Sequence, residues 1–324
     1  MAKAAGLLTL AAIFALFLGE AIVRVAGDVL HRLPVVANDE TLGWTGWPNL
    51  RRAEKDYAGG SFRLSSDSLG HRLAYPPGHT AGNAPVLLLV GDSFTQGVGV
   101  DDEETLAWRV ARAMPEHEVV DLGVAGYGSD QELLSVEKFF RTNTAPVSDI
   151  VVVAYENDFR DVQASFDYAL ARSKPRFHLR GQEIEREPYR QSFLDRIMDD
   201  SRLVWLARTK VMYRFRPAKL APEPGVDLVV ACIDAIRRLG REHNARVHVF
   251  AYQQAGPPFG FTSEVPDSTW ASFIKKSGAI DMTNAIRTGT GPNPIGFDRL
   301  HWSPEGTRRA TRVILDSLQA APPA

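Results

Sequence analysis

The sequence predicts a doubly wound α/β fold, a parallel five-stranded sheet flanked by helices on both faces. Three observations carry this expectation. From Pro85 onward, short aliphatic and β-branched runs alternate with helix-length amphipathic stretches. The strand runs are apolar throughout rather than alternating, as in strands covered on both faces. Glycine and polar residues cluster directly behind those runs, where open parallel sheets form their ligand sites.

The expected strands are Val86–Val90, Val119–Leu122, Ile150–Tyr155 and Val247–Tyr252, with a weaker fifth at Ala279–Met282. Helical patterns fall at Glu103–Met114, Asp130–Arg141, Asp227–His243 and Pro304–Leu318. The last has a clear start signal, Ser303 as N-cap and Pro304 at the first helical position, where a missing N–H costs nothing. The connection from Phe159 to Gly225 is far longer than a crossover needs and reads as an insertion after the third strand. It contains a hairpin pattern, Phe177 to Ile184, and a long helix pattern from about Ser192 to Phe215. That helix carries Leu203, Trp205, Leu206, Met212, Tyr213 and Phe215 among Arg202, Arg208, Lys210, Arg214 and Arg216. Core packing with a basic outer face is the expectation for it, with a membrane-surface helix as the alternative. Arg172, Arg176 and Arg180 are interleaved with Glu183, Glu185 and Glu187, so a solvated charged face is expected rather than an anion site.

Ahead of the α/β region lie two different segments. Ala4 to Gly19 is uncharged and mostly apolar, preceded by Lys3 and followed by Glu20 and Arg24 within a continuing apolar pattern through Ala26. A membrane anchor with an inside N-terminus and an extracytoplasmic (periplasmic or cell-surface) domain is expected. The alternatives are a cleaved signal peptide, with Gly19-Glu20-Ala21 as a passable site and a secreted product, and a buried amphipathic helix. Asn38 to Gly82 reads as a lead-in, with Trp44, Trp47, Pro48, Gly59-Gly60 and a short strand at Ser61–Leu64. The expected division is therefore 1–27 for the membrane segment, 28–84 for a lead-in packing on the catalytic domain, and 85–320 for the α/β domain with its insertion at 159–225.

Bulk properties exclude more than they assign. Over 324 residues the formal net charge is −2, which gives no general attraction to nucleic acid. Cys232 is the only cysteine, so no intramolecular disulfide or cysteine metal site is expected; it reads as a small buried apolar residue. His31, His71, His79, His117, His178, His243 and His248 lack partners at metal-ligand spacing and read as structural or solvated. Low-complexity sequence is confined to the tail at Ala320 to Ala324.

The chemistry lies in a few short strings. Gly91-Asp92-Ser93 directly follows the first strand, and Asp298-Arg299-Leu300-His301 precedes the last helix. A serine hydroxyl is a poor nucleophile until a base takes its proton, and an imidazole does so best when a carboxylate orients it. Asp298 and His301 are spaced to face the same way if the segment makes one turn, so the carboxylate holds one ring nitrogen while the other addresses Ser93. Two further strand ends are unusual, Asp121-Leu122-Gly123-Val124-Ala125-Gly126-Tyr127-Gly128 and Tyr155-Glu156-Asn157-Asp158. The glycine spacing of the former is not that of a dinucleotide loop, and no Gly-Lys-Ser/Thr follows. Ser93 also lacks the second glycine of a Gly-x-Ser-x-Gly elbow, which argues against an α/β-hydrolase. Asn157 or, more strongly, Asp158 is a candidate cap for the following helix.

Together these four blocks, spread in order from about Val86 to Leu318, resemble the SGNH (GDSL) hydrolase family, a three-layer flavodoxin-like fold. The resemblance implies Ser93 as nucleophile, His301 as general base and acid, and Asp298 as its orienting carboxylate. It implies an oxyanion hole from the backbone N–H groups of Ser93 and Gly126 and the side-chain amide of Asn157, and no cofactor and no metal. Each such donor is typically worth about 2.7–4 kcal/mol of barrier. Two departures stand out: Tyr155 occupies the usual glycine of the third block, where it is expected to narrow the pocket, and Asp121 stands where the second block often has Asn. Leu42-Gly43-Trp44, Pro48-Asn49 and Leu69-Gly70-His71-Arg72 look like a bacterial membrane-anchored branch. The implied activity is hydrolysis of a carboxylic ester, an acetyl or short acyl group on a small molecule or cell-surface polysaccharide. The alternatives are an O-acyltransferase using the same triad and a catalytically silent surface binding or assembly protein. Membrane contact through the N-terminal segment is the one partner the sequence implies besides substrate; protein partners are not legible in it.

Overall fold

The computed structural model describes residues 2–29, 35–76, 78–79, 82–254, 256–258, 260–288 and 291–320. His31 and residues 321–324 of the tail lie outside the described residues. The chain opens with α1 (Ala2–Val29) and two antiparallel hairpins, β1 (Val36–Asp39) with β2 (Gly43–Gly46) and β3 (Ala53–Tyr57) with β4 (Gly60–Leu64). The α/β unit then runs β5 (Val86–Gly91), α2 (Ser93–Gln96), α3 (Leu106–Ala113), β6 (Glu118–Asp121), α4 (Ser129–Thr142) and β7 (Val147–Tyr155). The insertion comprises α5 (Asp158–Asp161), the short pairs β8 (Phe166–Asp167) with β9 (Arg172–Ser173) and β10 (Phe177–Arg180) with β11 (Glu183–Arg186), then α6 (Phe193–Asp200) and α7 (Arg202–Arg214). The chain closes with α8 (Glu223–Glu242), β12 (Arg246–Tyr252), α9 (Asp267–Ser277), β13 (Ile280–Asp281), α10 (Thr283–Arg287) and α11 (Pro304–Ala320).

The central sheet has five parallel strands in the order β13-β12-β7-β5-β6, as the apolar runs predict. Successive β5 side chains enter opposite layers. Val86, Leu88 and Val90 pack with α4, α8 and α9, whereas Leu87 and Leu89 pack with α3, α10 and α11. From β5 the chain crosses to β6 on one side and then to β7 on the other. The carboxyl end of β5 is therefore the topological switch point, where doubly wound sheets open a crevice. Ser93 sits there.

Three expectations change. The helix pattern across Ser192–Phe215 is two helices, because Ser201 adopts an extended backbone and its hydroxyl accepts from the Val204 N–H at 3.2 Å, restarting the helix. α7 is not packed into the core: none of its residues is fully buried, and it lies against α1 instead. Arg172 is not part of a solvated face. It is 1% exposed, pairs with Asp199 and donates to the Val36 and Asp195 carbonyls, tying β9 to β1 and α6. Cys232 is buried in the core, as expected.

Candidate active site

The first strand end places the serine. Gly91 has to be glycine, since a Cβ there would stand 2.1 Å from Thr95 Oγ1 and 2.9 Å from the Val153 carbonyl oxygen. The Asp92 carboxylate accepts from the Phe94 N–H at 2.9 Å, so α2 starts at Ser93 with its hydroxyl half-buried at the edge of the crevice. The late loop brings His301, the proposed base. Asp298 Oδ1 accepts from the Leu300 and His301 N–H groups, both at 3.0 Å, in a turn with Arg299 in the left-handed region. The same carboxylate's Oδ2 lies 2.5 Å from His301 Nδ1, and His301 Nε2 lies 2.8 Å from Ser93 Oγ. Asp298, His301 and Ser93 thus form one connected line across a sequence separation of about two hundred residues. Burial works to raise the Asp298 carboxyl, but the His301 hydrogen bond and charge, with the two N–H groups, outweigh it and hold it below the usual carboxylate value.

The proposed oxyanion donors come from the neighbouring strand ends. Gly126 lies in the turn after β6 with φ +82°, and a Cβ there would meet Asp167 Oδ2 and Leu170 Cδ1 at 3.0 Å. The flanking amides are occupied: Ala125 N–H donates to Gln96 Oε1 at 3.1 Å, and Tyr127 N–H to the Val124 carbonyl at 3.1 Å. Asn157 follows β7 and leads into α5 without a side-chain cap bond; its Nδ2 donates to Asp161 Oδ2 at 2.8 Å, and its side chain also acts on the Asp92 carboxylate. Asp158 caps nothing either. Its Oδ2 accepts from the Tyr155 N–H at 3.2 Å.

Tyr155 does not narrow the pocket. It is 6% exposed, lies against Phe94 and Tyr252, and its hydroxyl donates to Gln254 Oε1 at 3.0 Å. A large ring fits there because Phe94, Tyr252 and Trp302 make an aromatic floor beneath His301. The lead-in supplies what sequence reasoning missed. Tyr57, at the end of β3, stands 5.9 Å from the His301 ring, with its hydroxyl raised above the ordinary phenol value by burial and by the Asp298 charge. Nothing in the local pattern around Tyr57 marks it, because its proximity arises only through tertiary packing.

Beneath the serine lies a set of buried acids. Burial raises Asp92 to about 6, against the pull of the Phe94 N–H, the His301 charge and the Asn157 side chain. Burial and the neighbouring Asp92 and Asp130 push Glu132 far up, and burial with Glu132 and Asp92 does the same to Asp158. Asp161 reaches about 8 through burial, opposed by Lys174, whose Nζ donates to Asp130 Oδ1 and the Asp161 carbonyl, both at 2.7 Å. Burial is the common cause, and Asp92 Oδ2, both Glu132 carboxylate oxygens and Asp158 Oδ1 have no hydrogen-bond partner among the described residues. Among the described residues, no group of three or more His, Cys, Asp and Glu side chains is arranged to hold a metal ion.

No protein-family model and no curated protein matches the chain. Solved structures do. TesA shares 12% identity, covering 72% of this chain and 98% of its own, with a TM-score of 0.41. A lipolytic protein of the G-D-S-L family from Veillonella parvula shares 11%, covering 74% and 100%, with a TM-score of 0.41. AlinE4, an SGNH-hydrolase family esterase, shares 14%, covering 76% and 100%, with a TM-score of 0.37. At that distance, function has to be argued from the site itself.

Proposed function

We propose that this chain is a carboxylic ester hydrolase of the SGNH type, working through an acyl-serine intermediate. The observation that carries the proposal is the unbroken Asp298–His301–Ser93 line at the switch point of the sheet. Ser93 Oγ attacks the ester carbonyl carbon while His301 Nε2 takes its proton, and Asp298 steadies the resulting imidazolium. The carbonyl oxygen takes up negative charge next to the Ser93 and Gly126 N–H groups and the Asn157 amide. Collapse of the tetrahedral intermediate breaks the bond to the alcohol, which leaves with the proton from His301. Water, deprotonated by the same imidazole, then attacks the acyl carbon; collapse breaks the bond to Ser93 Oγ, which takes the proton back from His301 as the carboxylic acid leaves. The half-exposed serine and the flanking Tyr57 suit an acyl group carried on a bulky alcohol such as a surface carbohydrate.

In the same proposal α1 crosses a membrane and holds the hydrolase outside the cytoplasm. Lys3–Gly27 is long and apolar enough for a span, and none of its most apolar window is buried within the fold. Retention rather than cleavage is supported by Glu20, whose carboxylate accepts from Ser201 Oγ at 2.8 Å and from the Arg202 and Leu203 N–H groups at 2.9 Å. Cleavage after Ala21 would remove the group that caps α7.

The deciding experiment is hydrolysis of p-nitrophenyl acetate by the full chain in detergent, beside Ser93→Ala and His301→Ala. Each variant is expected to lose about 10⁶-fold in kcat. A variant that folds and keeps wild-type turnover overturns the assignment.

A further inference from the structure

α1 does more than tether. Counting from Lys3, about 20 residues at 1.5 Å each bring Ile22 to the far edge of a hydrocarbon layer about 30 Å thick. The next turns, Val23 to Gly27, then stand at the level of the lipid headgroups. There α7 runs beside α1, and the two enclose a groove of about 470 Å³. Its α1 wall is formed by Ile22, Val23, Ala26 and Gly27 with Arg24 among them, and its α7 wall by Arg202, Trp205, Leu206, Thr209, Lys210 and Tyr213, which lie along one side of the helix.

On the α7 side the sequence carries charge of one sign. From Ser201 to Pro222 the chain carries Arg202, Arg208, Lys210, Arg214, Arg216 and Lys219 and no acidic residue. Several of these are engaged: Arg208 pairs with Asp195 at 2.8 Å, Lys219 with Glu264 at 2.6 Å, and Arg202 lies over the Trp47 ring. Arg24, on the α1 side, is held by Glu20 at 2.6 Å and donates to the Asp200 carbonyl at 2.5 Å. Lys210 and, one turn on, Arg214 are exposed and have no carboxylate partner among the described residues. Val211, Tyr213 and Phe215 beside them expose large apolar surface. Trp and Tyr with basic residues at headgroup depth are what an anionic bilayer surface selects.

We propose that the α1–α7 groove binds an anionic phospholipid of the bilayer that α1 crosses, with its phosphate at Lys210 and Arg214 and an acyl chain along Ile22 and Leu206. The proposal rests on the membrane reading given above. It makes the hydrolase domain a body docked on the leaflet at a fixed orientation rather than one swinging on a tether.

The test is native mass spectrometry of the full chain in dodecyl maltoside, titrated with phosphatidylglycerol or phosphatidylcholine. One phosphatidylglycerol per chain is expected, preferred roughly 30-fold, the ratio set by two basic side chains each contributing its typical share at an anionic surface. Lys210→Glu with Arg214→Glu should erase the preference while p-nitrophenyl acetate turnover stays at the wild-type rate, which shows the fold intact. Equal binding of both lipids, survival of the preference in the double variant, or displacement of phosphatidylglycerol by millimolar inorganic phosphate overturns the proposal. Extraction of the chain from membranes by alkaline carbonate would instead sink the membrane reading on which it rests, and so separates the two failures.

Discussion

Asp121→Asn tests the electrostatics of the site most directly. Asp121 is 1% exposed; its Oδ1 accepts from the Gly123 N–H at 2.8 Å, and its buried Oδ2 has no hydrogen-bond partner among the described residues. Burial raises its carboxyl from 3.8 to about 8, against the Gly123 N–H and the Arg72 charge. At neutral pH the side chain is therefore a neutral acid with one acceptor and one donor, the same pattern an asparagine presents, and asparagine is what the SGNH-like second block often carries there. The sign follows from linkage. Below about pH 4 folded and unfolded chains both hold the proton and the group is neutral in the balance. Between about 4 and 8 only the folded chain holds it, so stability falls steadily from its low-pH level as pH rises toward 8. The slope is about 1.4 kcal/mol per pH unit, so asparagine should gain about 2.7 kcal/mol on wild type between pH 5 and pH 7. Urea unfolding of both proteins at the two pH values, followed by tryptophan fluorescence, reads this directly. Parallel stabilities of variant and wild type across that interval would refute a neutral, buried Asp121.

Three further outcomes follow from the geometry. Asn157→Ala should lower kcat about 10²- to 10³-fold with little change in KM, as expected for a donor that acts on the developing oxyanion; an unchanged kcat on p-nitrophenyl acetate would remove Asn157 from the site. Gly126→Ala forces a Cβ against Asp167 and Leu170 from a positive-φ backbone, so a comparable loss of kcat is expected together with a lower melting temperature, and wild-type behaviour in both would show that this turn supplies no donor. Asp298→Asn should cost about 10⁴-fold in kcat while circular dichroism stays unchanged, and a loss of less than tenfold would leave His301 oriented by something else.

The sheet was legible because its signal is local: unbroken apolar runs at Val86–Val90 and Ile150–Tyr155 can be covered on both faces in few other ways. Ser93, Asp298 and His301 were legible for a related reason, since the turn from Asp298 to His301 closes within four residues and Ser93 abuts a strand end. α9 carried a readable pattern in Trp270, Phe273 and Ile274, but its position after a proline-rich loop hid it. What escaped depends on burial, which no window of sequence contains. Asp130 and Glu132 look like ordinary acids in the first turn of a helix, yet both are at or below 1% exposed. Tyr155 reads as a pocket wall only until Phe94, Tyr252 and Gln254 are seen to surround it. The division of the Ser192–Phe215 pattern rests on one serine, Ser201, whose capping role depends on where α1 and Glu20 are.

The lead-in shows why this site cannot be reduced to its α/β unit. Arg72, buried beneath it, donates to the carbonyls of Gln96, Gly97, Val100 and Arg63 and to Asp102 Oδ1 at 3.1 Å, clamping the loop that follows α2. Burial depresses its guanidinium, and the Asp102 charge opposes that effect. Trp44 Nε1 donates to the Ala125 carbonyl at 3.0 Å, and Tyr127 returns a hydroxyl to the Trp44 carbonyl at 2.7 Å, fixing the turn that carries Gly126. Tyr57 closes the side of His301. The loop after α2, the turn that carries Gly126 and the His301 ring thus each meet a different residue of one segment that carries none of the proposed catalytic groups. Catalysis by preorganised donors requires positions fixed to a fraction of an ångström before substrate arrives. In this chain Trp44, Tyr57 and Arg72 add contacts from the lead-in to those positions, so truncation into the lead-in should lower activity even where the sheet survives.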